Sequence, residues 1–280
     1  MEDLLRNTFI ALIEAGLTLA DLPRFLIDED FRDNVLEGVS HPICKRYFQR
    51  FNSLPQRTRQ EWMEPTLNKV NAFLSDDRIR EMLSFKESSF SLREIMDDRK
   101  IILIKLDRGL KENGDLIGSL LMTKIRMAAF SRSDIPRERR IPFYLYIDEF
   151  QSFATREFID TLSEARKYGL SLIMAHQNLS QLPRDLQDSI LTNCGIQCYF
   201  KVCRRNAEIL AKEAFEVTGT EVKAVRLSPY YFDYNFYSYQ EEWEKYIQLL
   251  ENLPNRFFNC KAQDRGWKSI APYSRSPPSP

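Results

Sequence analysis

Asp148 and Glu149 follow directly on Phe143-Tyr144-Leu145-Tyr146-Ile147, a short apolar run with the composition of a buried strand. Acids at the carboxyl end of such a strand meet solvent at the sheet edge where α/β proteins bind ligands. There the first carboxylate can orient a divalent cation and the second can take a proton from an attacking water. A strand that merely ends in solvated charge has the same sequence, so the pair alone leaves both readings open. Two later segments bear on the choice. Ser163-Glu164-Ala165-Arg166-Lys167-Tyr168-Gly169-Leu170 ends a helix and enters a strand, with Arg166 where a cation also simply complements the helix dipole. Ala175-His176-Gln177-Asn178-Leu179-Ser180-Gln181-Leu182 follows that strand, so Gln177 is expected at the same edge as Asp148 and Glu149.

The elements that must position these residues alternate. Residues 101–106 (Ile-Ile-Leu-Ile-Lys-Leu) read as a strand buried on both faces, and a Gly-bearing connection follows at Gly109 and Gly114. A helix is expected over 116–131, a strand over 143–147, a helix over 155–168 stopped by Gly169, and a strand over 170–175. A short helix over 181–191, a strand over 196–202 and a helix over 206–216 complete the series. Four strand–helix alternations predict a parallel sheet with right-handed crossovers. Before residue 100 the apolar spacing is helical throughout: Leu4, Leu5, Thr8, Phe9, Leu12 and Ile13 share one face, Pro23 suits a first turn, and a helix is expected to begin at Pro65. The predicted organisation is therefore an all-helical domain over 1–99, an α/β domain over 100–222, and a divergent aromatic segment with a Pro/Ser tail over 223–280.

The segments around Asp148, Arg166 and Gln177, in this order and spacing, resemble the FtsK–HerA superfamily of ring-forming DNA-pumping ATPases. The branch they resemble is the C-terminal portion of conjugative coupling proteins of the TraG/TraD type, including the part that resembles a TraM-recognition domain. The resemblance is tight over 144–182 and looser over 101–215, and the helical block resembles the domain that such proteins insert into their motor. It implies an α/β, RecA-like parallel sheet with flanking helices, an incomplete P-loop NTPase fold preceded by the helical domain. It implies that Asp148 is the Walker B acid for Mg²⁺, Glu149 the base that polarises water, Arg166 an arginine finger reaching a neighbouring subunit, and Gln177 a sensor of the γ-phosphate. ATP and Mg²⁺ are the implied cofactors. DNA, further copies of the chain in a ring (a hexamer) and relaxosome or secretion-channel proteins are the implied partners.

One part of that machinery is absent from the sequence. No G-x-x-x-x-G-K-[ST] loop occurs among the 9 glycines, and the Gly109–Gly118 region lacks a following Lys-Ser or Lys-Thr. In the resembled family that loop precedes the helical insertion, so the expectation is a chain that binds little nucleotide alone. The alternative reading is a non-hydrolysing module that docks relaxosome or secretion-channel components, its motor residues vestigial.

Three other groups draw attention and yield blander readings. Cys194, Cys198 and Cys203 lie near one strand without C-x₂-C spacing, which favours plain thiols over zinc. Lys124, Arg126, Arg132, Arg137, Arg139 and Arg140 concentrate positive charge, diluted by Asp134 and Glu138, and read as a solvated loop rather than a DNA surface. The aromatic run at 230–239 has few interleaved basic residues, which favours a docking or core-capping strand over base stacking.

Composition sets the outer limits. Lys+Arg 40 against Asp+Glu 40 leaves no bulk polycation, so nucleic-acid binding must be local. Apolar stretches are interrupted by charge, Met1-Glu2-Asp3 lacks a signal-peptide pattern, and 5 cysteines lack framework spacing. The expectation is a cytoplasmic protein, brought to the inner face of the membrane only through partners.

Overall fold

The computed structural model describes residues 2–106, 109, 112–155, 158–227 and 232–262. It divides into two compact units, Met1–Ser91 and Leu92–Pro280.

The first unit is helical: α1 (Glu2–Glu14), α2 (Leu22–Ile27), α3 (Glu29–Gly38), α4 (Pro42–Asn52), α5 (Gln56–Leu74) and α6 (Asp77–Leu83). In α4 Pro42 occupies the first turn, where its missing N–H costs nothing, and the His41 ring accepts a bond from Cys44 N. Cys44, Phe48 and Phe51 then recur at helical spacing and are buried against α1 and α2, with Phe25 and Phe48 edge-to-face at 5.2 Å. Arg32 is 1% exposed and is accommodated by bonds to Asn52 Oδ1 and the Leu26 carbonyl. Pro65 does not open a helix as its sequence signature suggests; it lies inside α5. Pro65 faces solvent, so water can satisfy the Glu61 carbonyl that its missing N–H leaves unpaired.

The second unit opens with α7 (Leu92–Asp97) and continues through α8 (Glu112–Phe130), β1 (Phe143–Ile147), α9 (Phe158–Glu164), β2 (Leu170–Met174) and α10 (Arg184–Asn193). β1 and β2 pair in parallel, with Phe143 opposite Leu170 and Ile147 opposite Met174. Leu145, Ile147, Leu170 and Leu172 pack beneath them with residues of α8, α9 and α10, while Tyr144, Tyr146 and Ile173 on the other face stay exposed. This small parallel sheet with its helices is an α/β arrangement.

After α10 come β3 (Ile196–Tyr199), α11 (Arg204–Ala214), β4 (Val222–Leu227), β5 (Phe232–Phe236), α12 (Tyr239–Glu251) and β6 (Asn259–Ala262). Here the structure departs from the sequence reading in three ways. β3 does not extend a parallel sheet; it pairs antiparallel with β6, because periodicity marks a strand but says nothing of its partner. The 101–106 run is not a strand: Ile101 is 89% and Leu103 92% exposed, and no described strand supplies the ladder that a buried strand requires. Gly114 belongs to α8 rather than to a connection before it. The aromatic run contributes β5, which forms a hairpin with β4, and Tyr234 and Phe236 stack on each other at 6.4 Å while about half exposed. They cap no core. The rest of the 263–280 tail, together with Tyr230 and Tyr231, lies outside the described residues.

Candidate functional site

The site is built by the ends of two paired strands. Beyond β1 and β2 the ladder continues, with Ala175 N donating to the Ile147 carbonyl at 2.9 Å and Phe150 N to the Ala175 carbonyl at 2.8 Å. The two exits therefore remain side by side. Glu149 adopts φ 51°, ψ 45°, a left-handed conformation that costs a residue with a Cβ about 1–3 kcal/mol. That turn drops Phe150, which is fully buried, into the core against Phe158 and leaves the Glu149 carboxylate at the edge. Gln177 Nε2 donates to Glu149 Oε1 at 2.6 Å, and Gln151 Nε2 donates to Glu149 Oε2. Asp148 is exposed, and its Oδ1 accepts from Glu149 N at 3.0 Å. Asp148, Glu149 and Gln177 thus stand together, as their positions at strand ends predict.

Behind these side chains a cavity of about 680 Å³ runs between β1 and α8. Its mouth is formed by Asp148, Glu149, Gln177 and Ser152, and its depth by apolar residues such as Leu121, Ile125 and Leu145. Gly118 of α8 lets the wall close: a Cβ there would lie 2.3 Å from two atoms of the Phe153 ring. Lys105 and Asp115 also face this space.

Arg166 lies elsewhere. It is exposed in the 3-10 turn Ala165–Tyr168, which Gly169 closes at φ 77° just before β2 begins. Asp148 and Gln177 lie past the opposite ends of the strands. A five-residue strand is roughly 17 Å long, so Arg166 sits at the amino edge and cannot reach its own Asp148–Glu149 edge. No ion pair of Arg166 occurs among the described residues.

The remaining candidates resolve into structure. Arg132 is fully buried, ion-paired to Asp97 at 2.9 Å and donating to the carbonyls of Tyr168 and Ile141. Arg140 donates to the Ile135 and Lys167 carbonyls. Arg132 and Arg140 thus fasten the approach to β1 and β2, while Lys124, Arg137 and Arg139 stay exposed, as expected of solvated cations. Burial pushes the His176 imidazole below its usual range, favouring the neutral ring. No group of three or more His, Cys, Asp or Glu that could hold a metal occurs among the described residues. A magnesium ion taken up with a nucleotide needs only one or two protein carboxylates beside phosphate oxygens, and exposed Asp148 fits that part.

Two contributors escape sequence reasoning. Gln151 reaches Glu149 only because of the left-handed turn, which strand and helix periodicity do not report. Asn178 caps the turn after Gln177, accepting from Ser180 N, and also accepts from Asn206 Nδ2 of α11 at 2.9 Å. That bond ties the exit of β2 to the next layer; an Asn before Leu-Ser is a capping signal that can be read in sequence.

Comparison with known proteins agrees with this region of the chain. Residues 142–226 match the family model described as the TraM recognition site of TraD and TraG, so this stretch is of the TraG/TraD type and the C-terminal resemblance holds. Among solved structures, the bacterial conjugative coupling protein TrwBdeltaN70, in its unbound monoclinic form, is similar with a TM-score of 0.59 and 16% identity over 94% of this chain. The chain spans 61% of that structure's length. At that identity the likeness shows a shared α/β fold. No curated protein sequence matches.

Proposed function

We propose that this chain is the water-activating and partner-docking portion of a DNA-transfer coupling ATPase with a RecA-like motor fold. Glu149 takes the proton of the attacking water, Gln177 holds and reports on that carboxylate, and Asp148 contributes one ligand toward the magnesium that accompanies ATP. That magnesium would neutralise charge on the phosphate oxygens. Arg166, at the far edge, serves the nucleotide of a neighbouring copy in a ring, a hexamer by the resemblance, through which DNA is moved at the cytoplasmic face of the membrane. The phosphate grip itself must come from residues outside these 280, since no Walker A sequence is among them.

The observation that carries the reading is the Gln177–Glu149 bond, which joins two side chains from the carboxyl ends of adjacent parallel strands. Ligands of open α/β sheets bind at that edge. The test is nucleotide turnover by this chain alone and by the chain joined to a segment carrying a G-x-x-x-x-G-K-[ST] loop from a TraG/TraD-type protein. Turnover only in the joined form, lost with Glu149→Gln, is expected; vigorous Glu149-dependent turnover by the chain alone overturns the assignment.

The family match on 142–226 favours a second role on the same chain, recognition of a relaxosome protein of the TraM kind. Such binding, retained in Glu149→Gln and found without any turnover in the joined protein, would favour the non-hydrolysing module.

A further inference from the structure

β3 and β6 are an antiparallel pair in which Gln197 faces Lys261, Cys198 faces Cys260 and Tyr199 faces Asn259. Strand alternation sorts these residues cleanly. Gln197 and Tyr199 turn inward and are 9% and 8% exposed, with the Tyr199 hydroxyl bonded to Gln197 Oε1. Ile196, Cys198 and Phe200 turn outward and are exposed. On that outer face Phe200 packs against Phe258 at 5.5 Å, next to the cysteine pair, and so fixes the register from one side. The two sulfurs lie 3.7 Å apart.

From this placement we infer that Cys198 and Cys260 are an oxidative modification site, closing to a cross-strand disulfide when the protein meets a hydroperoxide. The alpha carbons of directly opposed residues in an antiparallel pair are about 4.5–5.5 Å apart, inside the range that disulfides span. Closure therefore needs only side-chain movement and no shift of register. Chemically, one thiolate attacks the peroxide O–O bond, giving a sulfenic acid and one water. The second thiol then displaces the sulfenyl oxygen as another water, so two thiols and one hydrogen peroxide give one disulfide and two waters. Partial desolvation of its sulfur, followed by the Cys260 hydrogen bond and charge, pushes the Cys198 thiol up to about 11, so Cys198 is a weak nucleophile at neutral pH and a stronger one in mild alkali. Among the described residues no third His, Cys, Asp or Glu joins the pair.

The bond would close a ring between positions 62 apart in sequence, enclosing α11, the β4–β5 hairpin and α12. By loop entropy, a ring of that size raises the ratio of native to unfolded protein roughly a thousandfold. The test uses the whole reduced chain, treated with hydrogen peroxide at pH 8.5 and digested without reductant. A peptide linking Cys198 to Cys260 is expected, together with a denaturation midpoint that rises on oxidation and returns on reduction. The variant Cys44→Ala/Cys194→Ala/Cys203→Ala, which keeps only the pair, should cross-link likewise, and Cys260→Ser should not. Disulfide-linked dimers, a Cys198–Cys203 link, or Cys198 oxidised to sulfinic acid with Cys260 still free would overturn the inference, and the wild-type peptide map alone decides this if a variant fails to fold.

Discussion

Gln177 and Glu149 are joined across the carboxyl ends of β2 and β1 by a 2.6 Å bond from the Gln177 amide to Glu149 Oε1. A second amide, from Gln151, occupies the other carboxylate oxygen. The carboxylate is thus held in place before any substrate arrives, as the proposed role of general base requires. In a form of the protein that carries a phosphate loop, Glu149→Gln is expected to lower turnover by about 10²–10⁴-fold while equilibrium nucleotide binding stays as it was. Unchanged turnover would remove Glu149 from the chemistry. Gln151→Ala should also slow turnover, by less, since Gln177 still orients the base.

The wall behind the site gives a stability prediction whose sign runs against propensity. Ala in place of Gly within a helix ordinarily stabilises by up to about 1 kcal/mol. At Gly118 the added Cβ would collide with the Phe153 ring at 2.3 Å, and with Leu106 Cδ1 at 3.1 Å, so the ring must move. Gly118→Ala is expected to destabilise by about 1–3 kcal/mol, read from urea denaturation. A stabilised Gly118→Ala would mean that Phe153 is free to swing away from α8.

Legibility in the sequence followed the range of the forces involved. The strands at 143–147 and 170–174 announce themselves by continuous apolar runs, and the acids and Gln177 at their ends then had to share an edge, as they do. Gly169 marks its turn for a local reason, a positive φ of 77°. What sequence could not give were partners. The 101–106 run is apolar but for Lys105 and reads as a buried strand, yet Ile101 and Leu103 are exposed, because a strand is made by its neighbours as much as by its composition. β3 reads as another parallel strand, and it pairs antiparallel with a segment about 60 residues later for the same reason. Arg132 reads as one of six surface cations; only its tertiary setting, the Asp97 carboxylate and two carbonyls, shows it to be buried.

That burial makes Arg132 a severe site. Arg132→Met removes the donors to the Tyr168 and Ile141 carbonyls and strands Asp97, which Arg93 also contacts at 3.4 Å. Breaking a fully buried pair from one side typically costs about 3–5 kcal/mol. Here Asp97 is 30% exposed and keeps Arg93, so the expected loss is smaller, about 2–3 kcal/mol, and comes mainly from the two orphaned carbonyls. Arg132→Lys should rescue little, since one ammonium cannot serve a carboxylate and two carbonyls in a planar fork. Calorimetric unfolding of the two variants checks this; a melting temperature within a degree of wild type for either would contradict the assigned role.

α12 offers a pH-dependent element. Ser238 and Glu241 form a reciprocal capping box, and Glu241 also pairs with Lys223 of β4. The Lys223 ammonium, then the Ser238 backbone N–H and hydroxyl, hold the Glu241 carboxyl down to about 2. A carboxylate whose folded value lies below its ordinary 4.5 stabilises the fold above that ordinary value and loses its contribution as pH falls from about 4.5 to 2. Glu241→Gln should therefore unfold at lower denaturant than wild type at pH 7, with most of the difference gone by pH 2 and the two converging below it. Ser238→Ala removes the cap at every pH and is expected to cost about 1 kcal/mol. A wild-type minus Glu241→Gln difference that is flat across this window would show that the box is not formed in solution.

Arg166 supplies the sharpest test of assembly. It is exposed, without an ion pair among the described residues, at the edge of the sheet opposite Asp148 and Glu149. Arg166→Ala should accordingly leave the unfolding midpoint within about 0.5 kcal/mol of wild type, as for an ordinary surface substitution. A guanidinium that neutralises γ-phosphate charge in trans is worth about 10³–10⁵ in rate, so the same variant should abolish turnover in the phosphate-loop-bearing assembly. The decisive measurement mixes two inactive proteins. Arg166→Ala subunits keep an intact Glu149 but lend no finger, and Glu149→Gln subunits lend the finger but lack the base. Wherever one of each meets in the right order, a complete site forms at the junction, so mixtures should recover a part of wild-type turnover that peaks near equal proportions. A finger acting on its own subunit's nucleotide would give no recovery at any ratio, whereas undiminished turnover by Arg166→Ala alone would return Arg166 to a cation in the turn after α9 with no part in the chemistry.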